Sequence, residues 1–501
     1  MEYIIILALF LPIVYLAARQ KKWYLFLLFG FMGVLPEQFS FEIHEKLPLI
    51  TVTRLLIVLV CGFWAYNKLK TKKFNLPVSI LAFLGVNILV SLINLRFGFD
   101  EVNRMFLYVF ERALVMIMAL DLVENKEEFE TSVDFVILGS VAMALIGIMQ
   151  TVFAFDAAEP LHITETITSI SLTHRMGLTR AFATTNAISY GCYIAFVSPL
   201  MLYKLSQTHK HRYSVALALN LVALICTFSR SAWLCLIGVF GLIFLVRPKK
   251  FIKEAWVSVV LVLVLCLGLS LVQVKFGNAL VETAKSSVNT VLDALPDSWF
   301  AEPETPDTPS QPDPEPEPDD PDESSKPQTP SKPQKPSFEL SEDFGLNGDD
   351  PTYSRVMQWT AVKRMAMDGD LLLGYGYNGF AEGKAYFFRA DWDSKWYVAK
   401  MMDVGFVALF VESGLVGFLA YIGLLGYIAV VSFKKRKSVE GFNFYKMSIF
   451  VVMSLVALNI MAAMMFDQIV WIYFALFYAY DKLHKEGKLK SESEPVAKWS
   501  F

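Results

Sequence analysis

Apolar residues in this chain gather into long, nearly unbroken blocks. The blocks lie near 3–18, 23–35, 49–67, 76–95, 105–123, 133–153, 186–203, 213–228, 231–246, 255–274, 402–431, 446–464 and 469–480. Most run about 16–22 residues, the length a helix needs to cross roughly 30 Å of hydrocarbon. A half-buried strand would alternate with period two, and the helix of a soluble domain would keep one polar face. The blocks do neither. In lipid every backbone polar group must be satisfied within the segment, so each block is read as a helix. The pattern predicts an all-α polytopic membrane protein of about 12–13 transmembrane helices.

Charge gives the blocks an orientation. Alternate connections carry the basic residues: RQKK (19–22), KLKTKK (68–73), KLSQTHKHR (204–212), RPKKFIK (247–253), KKRK (434–437) and KLHKEGK (482–488). By the positive-inside bias these face the cytoplasm. ENKEE (124–128) is weakly charged and joins them by parity alone. The first block begins at Tyr3 with no basic residue before it, so it reads as an uncleaved helix with its N-terminus outside rather than a signal peptide. The chain then divides into an N-terminal transmembrane bundle (1–274), one large extracytoplasmic loop (275–400), C-terminal transmembrane helices (401–481) and a cytoplasmic tail (482–501).

Composition adds little beyond this. The 501 residues are 55% hydrophobic, and the net charge of −3 conceals a sorting of charge by place, with the acidic excess in the loop. Residues 302–337, EPETPDTPSQPDPEPEPDDPDESSKPQTPSKPQKPS, should form an extended, disordered tether, because proline forbids helix and like charges repel. After it, Asp350 and Pro351 open a loop helix over about 352–368. Arg355 and Trp359, four apart, share a face of that helix, which suits a membrane surface. The five cysteines, Cys61, Cys192, Cys226, Cys235 and Cys266, all sit inside apolar blocks and read as packed small residues.

Arginine supplies the chemical anomaly. Arg175, Arg180, Arg230 and Arg355 fall outside on this topology, and Arg54 and Arg112 fall within spans near their outer ends. A guanidinium in a span costs at least a few kcal/mol and commonly faces a cavity or a partner. Its planar fork of donors matches phosphate oxygens. Several at one depth predict a diphosphate-binding site at the outer leaflet, formed by Arg180, Arg230, Arg355, Arg54 and Arg112. For any one of them, an ion pair or interface anchor is the simpler reading.

Three stretches carry these arginines or lie beside them: RAFATTNAISYG (180–191), TFSRSAWL (227–234), and YSRVMQWTAVKRMAMDGDLLLGYGYNGF (353–380). DVGFVALFVESGLVGF (403–418) follows at the next membrane entry. Together they resemble the O-antigen ligase and polysaccharide polymerase superfamily of bacterial cell envelopes. Its members show Arg-x-x-Gly-Thr-Phe-x-Asn-Pro-Asn before a span, a Ser-Arg-Ser/Gly turn, Arg-x-x-x-Trp ending in Gly-x-Gly-x-x-x-Phe, and a Glu-x-Gly step. Here those correspond to Arg180 to Asn186, Ser229 to Ser231, Arg355 with Trp359, Gly374 with Gly376 and Phe380, and Glu412 with Gly414. The first pattern is degraded, with Ala183 for its Gly and Thr185 for its Phe. Ligases of the superfamily resemble one another in a His nine positions before the Glu of the Glu-x-Gly step. That position is Asp403 here, which is more similar to polymerases.

The resemblance implies a GT-C-like glycosyltransferase architecture in the bacterial cytoplasmic membrane. It also implies transfer of a glycan from an undecaprenyl-diphosphate-linked donor to a glycan acceptor during cell-envelope or exopolysaccharide synthesis. Arg230 and Arg355 would stabilise the leaving diphosphate, and Asp403 is the candidate base. Glu382, Asp391 and Asp393 stand behind it, and Trp359, Glu382 and His174 would support the acceptor or the loop. No cofactor is needed, and no His/Cys/Asp/Glu spacing suggests a metal site. The lipid bilayer is a partner; a flippase and a chain-length regulator are candidate partners, and no nucleic acid is expected. GYGYNG (374–379) matches Gly-x-Gly-x-x-Gly formally but follows a helix, so it reads as a turn. The alternatives are a ligase of the same fold and a precursor transporter or flippase. The second is disfavoured because no repeated halves are evident.

Overall fold

The computed structural model describes residues 15, 20–31, 40–41, 50–68, 77–95, 112–153, 174–175, 178–183, 187–293, 372–376, 405–439, 441–461 and 468–489. The tether at 302–337, the loop helix at 352–368, and with them Arg355, Trp359, Glu382 and Asp403, lie outside the described residues.

Over the described residues the chain is mostly helical. Helix α1 (Lys21–Leu25) widens into a π-helical stretch over Phe26–Phe31. Strand β1 (Ser40–Phe41) pairs antiparallel with β2 (Ile50–Thr51), Ser40 opposite Thr51. Then come α2 (Val52–Lys68), α3 (Val78–Asn94), α4 (Leu114–Leu122) and α5 (Lys126–Phe153). A second two-residue ladder pairs β3 (His174–Arg175) with β4 (Leu178–Thr179). It precedes α6 (Ala187–Thr208), α7 (His211–Cys226), α8 (Arg230–Val246), α9 (Pro248–Val272) and α10 (Val274–Asp293). Helices α11 (Gly405–Lys435), α12 (Phe444–Met461) and α13 (Gln468–Lys485) complete the chain order. Of these, α5, α6, α9 and α11 are long and apolar enough to cross a membrane, and α3, α7, α8 and α12 are apolar but shorter.

Local chemistry explains several helix starts. At α5, Asn125 Oδ1 accepts from the Glu128 amide at 2.9 Å, while the Glu128 carboxylate accepts from the Glu124 amide at 2.8 Å, a reciprocal cap. Helix α9 opens on Pro248, where the missing N–H costs nothing. Helices α6 and α13 are buried nearly all round and form the centre of the bundle, whereas α9 exposes most of its apolar surface. Rings interlock at that centre: Phe196 meets Tyr473 edge-on at 5.5 Å, and Phe444 meets Phe129 at 5.0 Å and Tyr480 at 5.2 Å.

One end of the bundle is tied by charge. Lys21 bridges Glu124 at 2.9 Å and Glu128 at 2.8 Å, so the RQKK and ENKEE connections lie together. Lys204 reaches Glu130 at 2.7 Å and Asp134 at 2.9 Å, and Arg212 also holds Asp134. Arg247 pairs with Glu254 and stacks on Phe442, while Lys435 and Lys485 share Asp481. Burial disfavours the Lys21 ammonium, but its two carboxylates outweigh that and raise its pKa. A raised lysine keeps its stabilising charge through neutral pH and loses it only above the usual lysine range. The opposite end carries the non-helical segments 178–183 and 372–376. Helix α10 packs there, burying Phe276, Ala279 and Thr283, with the Phe276 ring 6.1 Å from Phe228.

Candidate functional site

The site forms where the RAFATT segment meets the turn between α7 and α8. After β4 the chain runs without regular structure from Arg180 to a turn at Ala183, and all four residues are buried. On one side it is stitched to the end of α7. The Ala181 amide donates to Cys226 O at 2.9 Å, and Arg180 Nε donates to Thr227 O at 2.8 Å. On the other side a single side chain of α5 holds it. Gln150 Oε1 accepts from the amides of Phe182 at 3.1 Å and Ala183 at 2.7 Å, and Gln150 Nε2 donates to Ala183 O at 3.0 Å.

Every polar atom of the Gln150 amide is therefore used or aimed at this one segment, in a setting without water to substitute for it. Replacing Gln150 with Leu leaves two amides and a carbonyl orphaned, at about 1–3 kcal/mol for each buried group. Gln150→Leu is expected to lower the thermal transition of the purified protein and to reduce its activity. Gln150→Glu keeps an oxygen for the two amides but, when ionised, sets a second acceptor against Ala183 O, so it should destabilise as well.

The TFSRSAW turn is equally constrained. The Thr227 hydroxyl donates to Leu224 O at 2.7 Å and accepts from the Ser229 amide at 3.1 Å. Phe228 lies between them with φ +49°, in the left-handed region that a bulky residue avoids. Ala183 at the end of the facing segment has φ +48°. Trp233 Nε1 donates back to Leu224 O at 2.8 Å and fixes the start of α8 against the end of α7. A Cβ on Gly191 of α6 would come within 3.1 Å of Thr227 Oγ1, Ser229 Cβ and Ala232 Cβ, so that glycine lets α6 close on the turn. The turn leaves Ser229 as N-cap and half-buried Arg230 as the first residue of α8. Arg230 thus sits at the positive end of a 17-residue helix. A guanidinium carried at a helix N-terminus is a setting that favours an anion.

A second local device lies at the break in α11. Gly414 has φ +63° and ψ −169°, outside helical geometry, and splits the helix in two. The segment 372–376 docks into the break and takes over its lost hydrogen bonds. Val416 N donates to Leu372 O at 3.1 Å, Tyr375 N to Val411 O at 2.8 Å, and Gly376 N to Glu412 O at 3.0 Å. Asn94 at the end of α3 donates from Nδ2 to Leu373 O at 2.8 Å and holds the segment from behind. Gly374 and Gly376 have φ of +73° and +83°. A Cβ on Gly374 would overlap the Gly414 amide nitrogen, and one on Gly414 would overlap Leu372 O. The Gly-x-Gly and Glu-x-Gly motifs are two halves of one contact.

The structure therefore joins Arg180 to the turn that carries Arg230, and joins Gly374 and Gly376 to Glu412 and Gly414. Arg54, half-buried in the first turn of α2, and Arg112, buried just ahead of α4, lie on helices that pack against each other. The backbone of His174 lies in β3, opposite Thr179, the residue that precedes Arg180. Among the described residues no group of three His, Cys, Asp or Glu could hold a metal ion. Sequence reasoning missed Gln150 and Asn94. Each is an amide inside an apolar block, and an intramembrane polar residue is itself a signal of a specific partner.

Residues 215–422 match the family model described as O-antigen ligase. The matched stretch takes in most of α7, the Ser229–Ser231 turn, the docked segment 372–376 and the break in α11. No curated protein matches the chain.

Proposed function

From the match of residues 215–422 to the O-antigen ligase family model we propose that the chain is a member of the O-antigen ligase and polysaccharide polymerase superfamily and acts as a polymerase-type glycosyltransferase. It joins undecaprenyl-diphosphate-linked oligosaccharide units outside the cytoplasm, within a GT-C-like bundle of about 12–13 spans. The observation that carries the reading is the bond from Arg180 to Thr227 O at 2.8 Å, three residues before Arg230 at the head of α8. Two guanidinium motifs far apart in sequence meet there at the end of the bundle opposite the lysine-rich connections.

In the reaction an acceptor sugar hydroxyl attacks the anomeric carbon of the donor glycan. The bond from that carbon to the diphosphate oxygen breaks, and undecaprenyl diphosphate departs with the electron pair. Arg180 and Arg230, together with Arg355, Arg54 and Arg112, offset the charge that grows on the leaving oxygens. Asp403 takes the hydroxyl proton. No metal enters these steps.

The family model's description favours a second reading, a ligase that moves finished glycan to another acceptor. Asp403 in the ligase-histidine position supports the polymerase. Glycan analysis of cells lacking the protein separates these readings and tests both. A polymerase leaves single repeat units on lipid outside the membrane, whereas a ligase leaves long lipid-linked polymer. Units trapped inside would instead indicate a flippase and overturn the proposal.

A further inference from the structure

Helix α10 covers the junction of the two guanidinium motifs. Gln273, with φ −127° and ψ 100°, ends α9, and its Nε2 donates to Val152 O at 2.7 Å at the end of α5. The Phe276 amide then donates to Gln273 O at 3.0 Å as α10 begins. Its sequence is amphipathic: Phe276, Ala279 and Thr283, at helical spacing, are buried, while Lys275, Asn278, Glu282 and Lys285 are exposed. The helix packs against β4, whose last residue precedes Arg180. It also meets the turn between α7 and α8, where the Phe276 ring lies 6.1 Å from that of Phe228 at an interplanar angle of 60°.

Phe228 needs such a partner. Its φ of +49° is left-handed, and a bulky residue keeps that conformation only where its surroundings over-determine it. Hydrogen bonds hold the backbone on either side, from the Phe228 amide to Ile225 O at 3.0 Å and from the Ser229 amide to Thr227 Oγ1 at 3.1 Å. The ring itself is held by packing. Both Phe228 and Phe276 are 1% exposed, and a tilted ring pair at this separation is attractive and directional. If Phe228 left the left-handed well, the chain beyond it would swing. The next two residues are Ser229, the N-cap, and Arg230, the first residue of α8.

We propose that Phe276 is a positioning residue, which acts through Phe228 to fix the backbone that aims Arg230 at the diphosphate. The inference rests on the reading of Arg230 as a diphosphate-binding group. A displacement of about 1 Å can cost up to about 10²-fold in rate, so the aim of the guanidinium matters as well as its charge.

The test compares the purified full chain with Phe276→Ala by hydrogen exchange, equilibrium binding of undecaprenyl diphosphate, and turnover of a lipid-diphosphate oligosaccharide. In Phe276→Ala the amides of Phe228 and Ser229 should lose protection while those of α6 and α13 keep theirs. Binding should weaken and turnover fall, each about tenfold. Phe276→Leu, which keeps much of the apolar contact, should recover part of both. In an Arg230→Ala background, Phe276→Ala should cost less than about twofold more, because its effect runs through Arg230. Gln273→Ala frees the head of α10 without opening a cavity at Phe228; it should show the same pattern and serves if Phe276→Ala does not fold. Val281→Ala, on the exposed face of α10, should be silent. Unchanged protection at Phe228 and Ser229, unchanged affinity, or full additivity with a damaging Arg230→Ala would overturn the positioning role alone. An Arg230→Ala protein that binds as the wild type does would overturn the diphosphate reading and this role with it.

Discussion

Arg230→Ala is expected to reduce glycan transfer by the purified protein by about 10²–10³-fold while leaving the protein folded. The size of the effect follows from position. Arg230 is the first residue of α8, half-buried, and its backbone is fixed by the Thr227 and Trp233 hydrogen bonds on either side. A charge held this way requires no reorganisation as the diphosphate leaves, and the low dielectric of the site strengthens it. Arg230→Lys keeps the charge but loses the planar fork, so it should recover only part of the rate. Arg180→Ala should fall at least as far, because it also strips Thr227 O of its donor and loosens the turn. Rates with a lipid-diphosphate oligosaccharide, read beside thermal transitions of the same preparations, separate the two causes. An Arg230→Ala protein that is folded and fully active would remove Arg230 from the site.

Gly414→Ala should be nearly as damaging, through a different route. Alanine is strained at φ +63°, ψ −169°, a region costing about 1–3 kcal/mol for residues other than glycine. Its methyl would also occupy the space of Leu372 O. Segment 372–376 must then leave the break, exposing Val411 O, Glu412 O and the Val416 amide in a setting without water. We expect activity to fall more than about tenfold, and the amides of 375, 376 and 416 to lose hydrogen-exchange protection. Gly423→Ala, farther along the same helix with open space around it, should be silent. Equal effects from the two substitutions would show that general helix damage, not the docked segment, is responsible.

How much of this was written in the sequence depends on the range of the interaction. The apolar blocks predicted helices well because a span must satisfy its backbone locally; α6, α7 and α8 fall close to the blocks at 186–203, 213–228 and 231–246. The Ser229–Ser231 turn was legible for the same reason. Arg180 was singled out as a charge in the wrong place, but its bond to Thr227 spans 47 residues and no local pattern encodes it. Gln150 and Asn94 reach 33 and 279 residues along the chain, so their roles emerge only once the helices pack. Helix α10 was hidden in the large loop because its amphipathic sequence, with Lys275, Glu282 and Lys285, lacks a continuous apolar block. The break in α11 was foreshadowed by the Glu-x-Gly step, yet its meaning came from Leu372 and Gly374 across the chain.

Binding of undecaprenyl diphosphate itself, without any sugar, isolates the pyrophosphate from the rest of the reaction. Equilibrium titration of the wild-type protein should show saturable binding that weakens with salt. Arg180→Ala and Arg230→Ala should each weaken it about tenfold or more. Equal affinity in all three folded proteins would contradict a pyrophosphate held by these guanidinium groups.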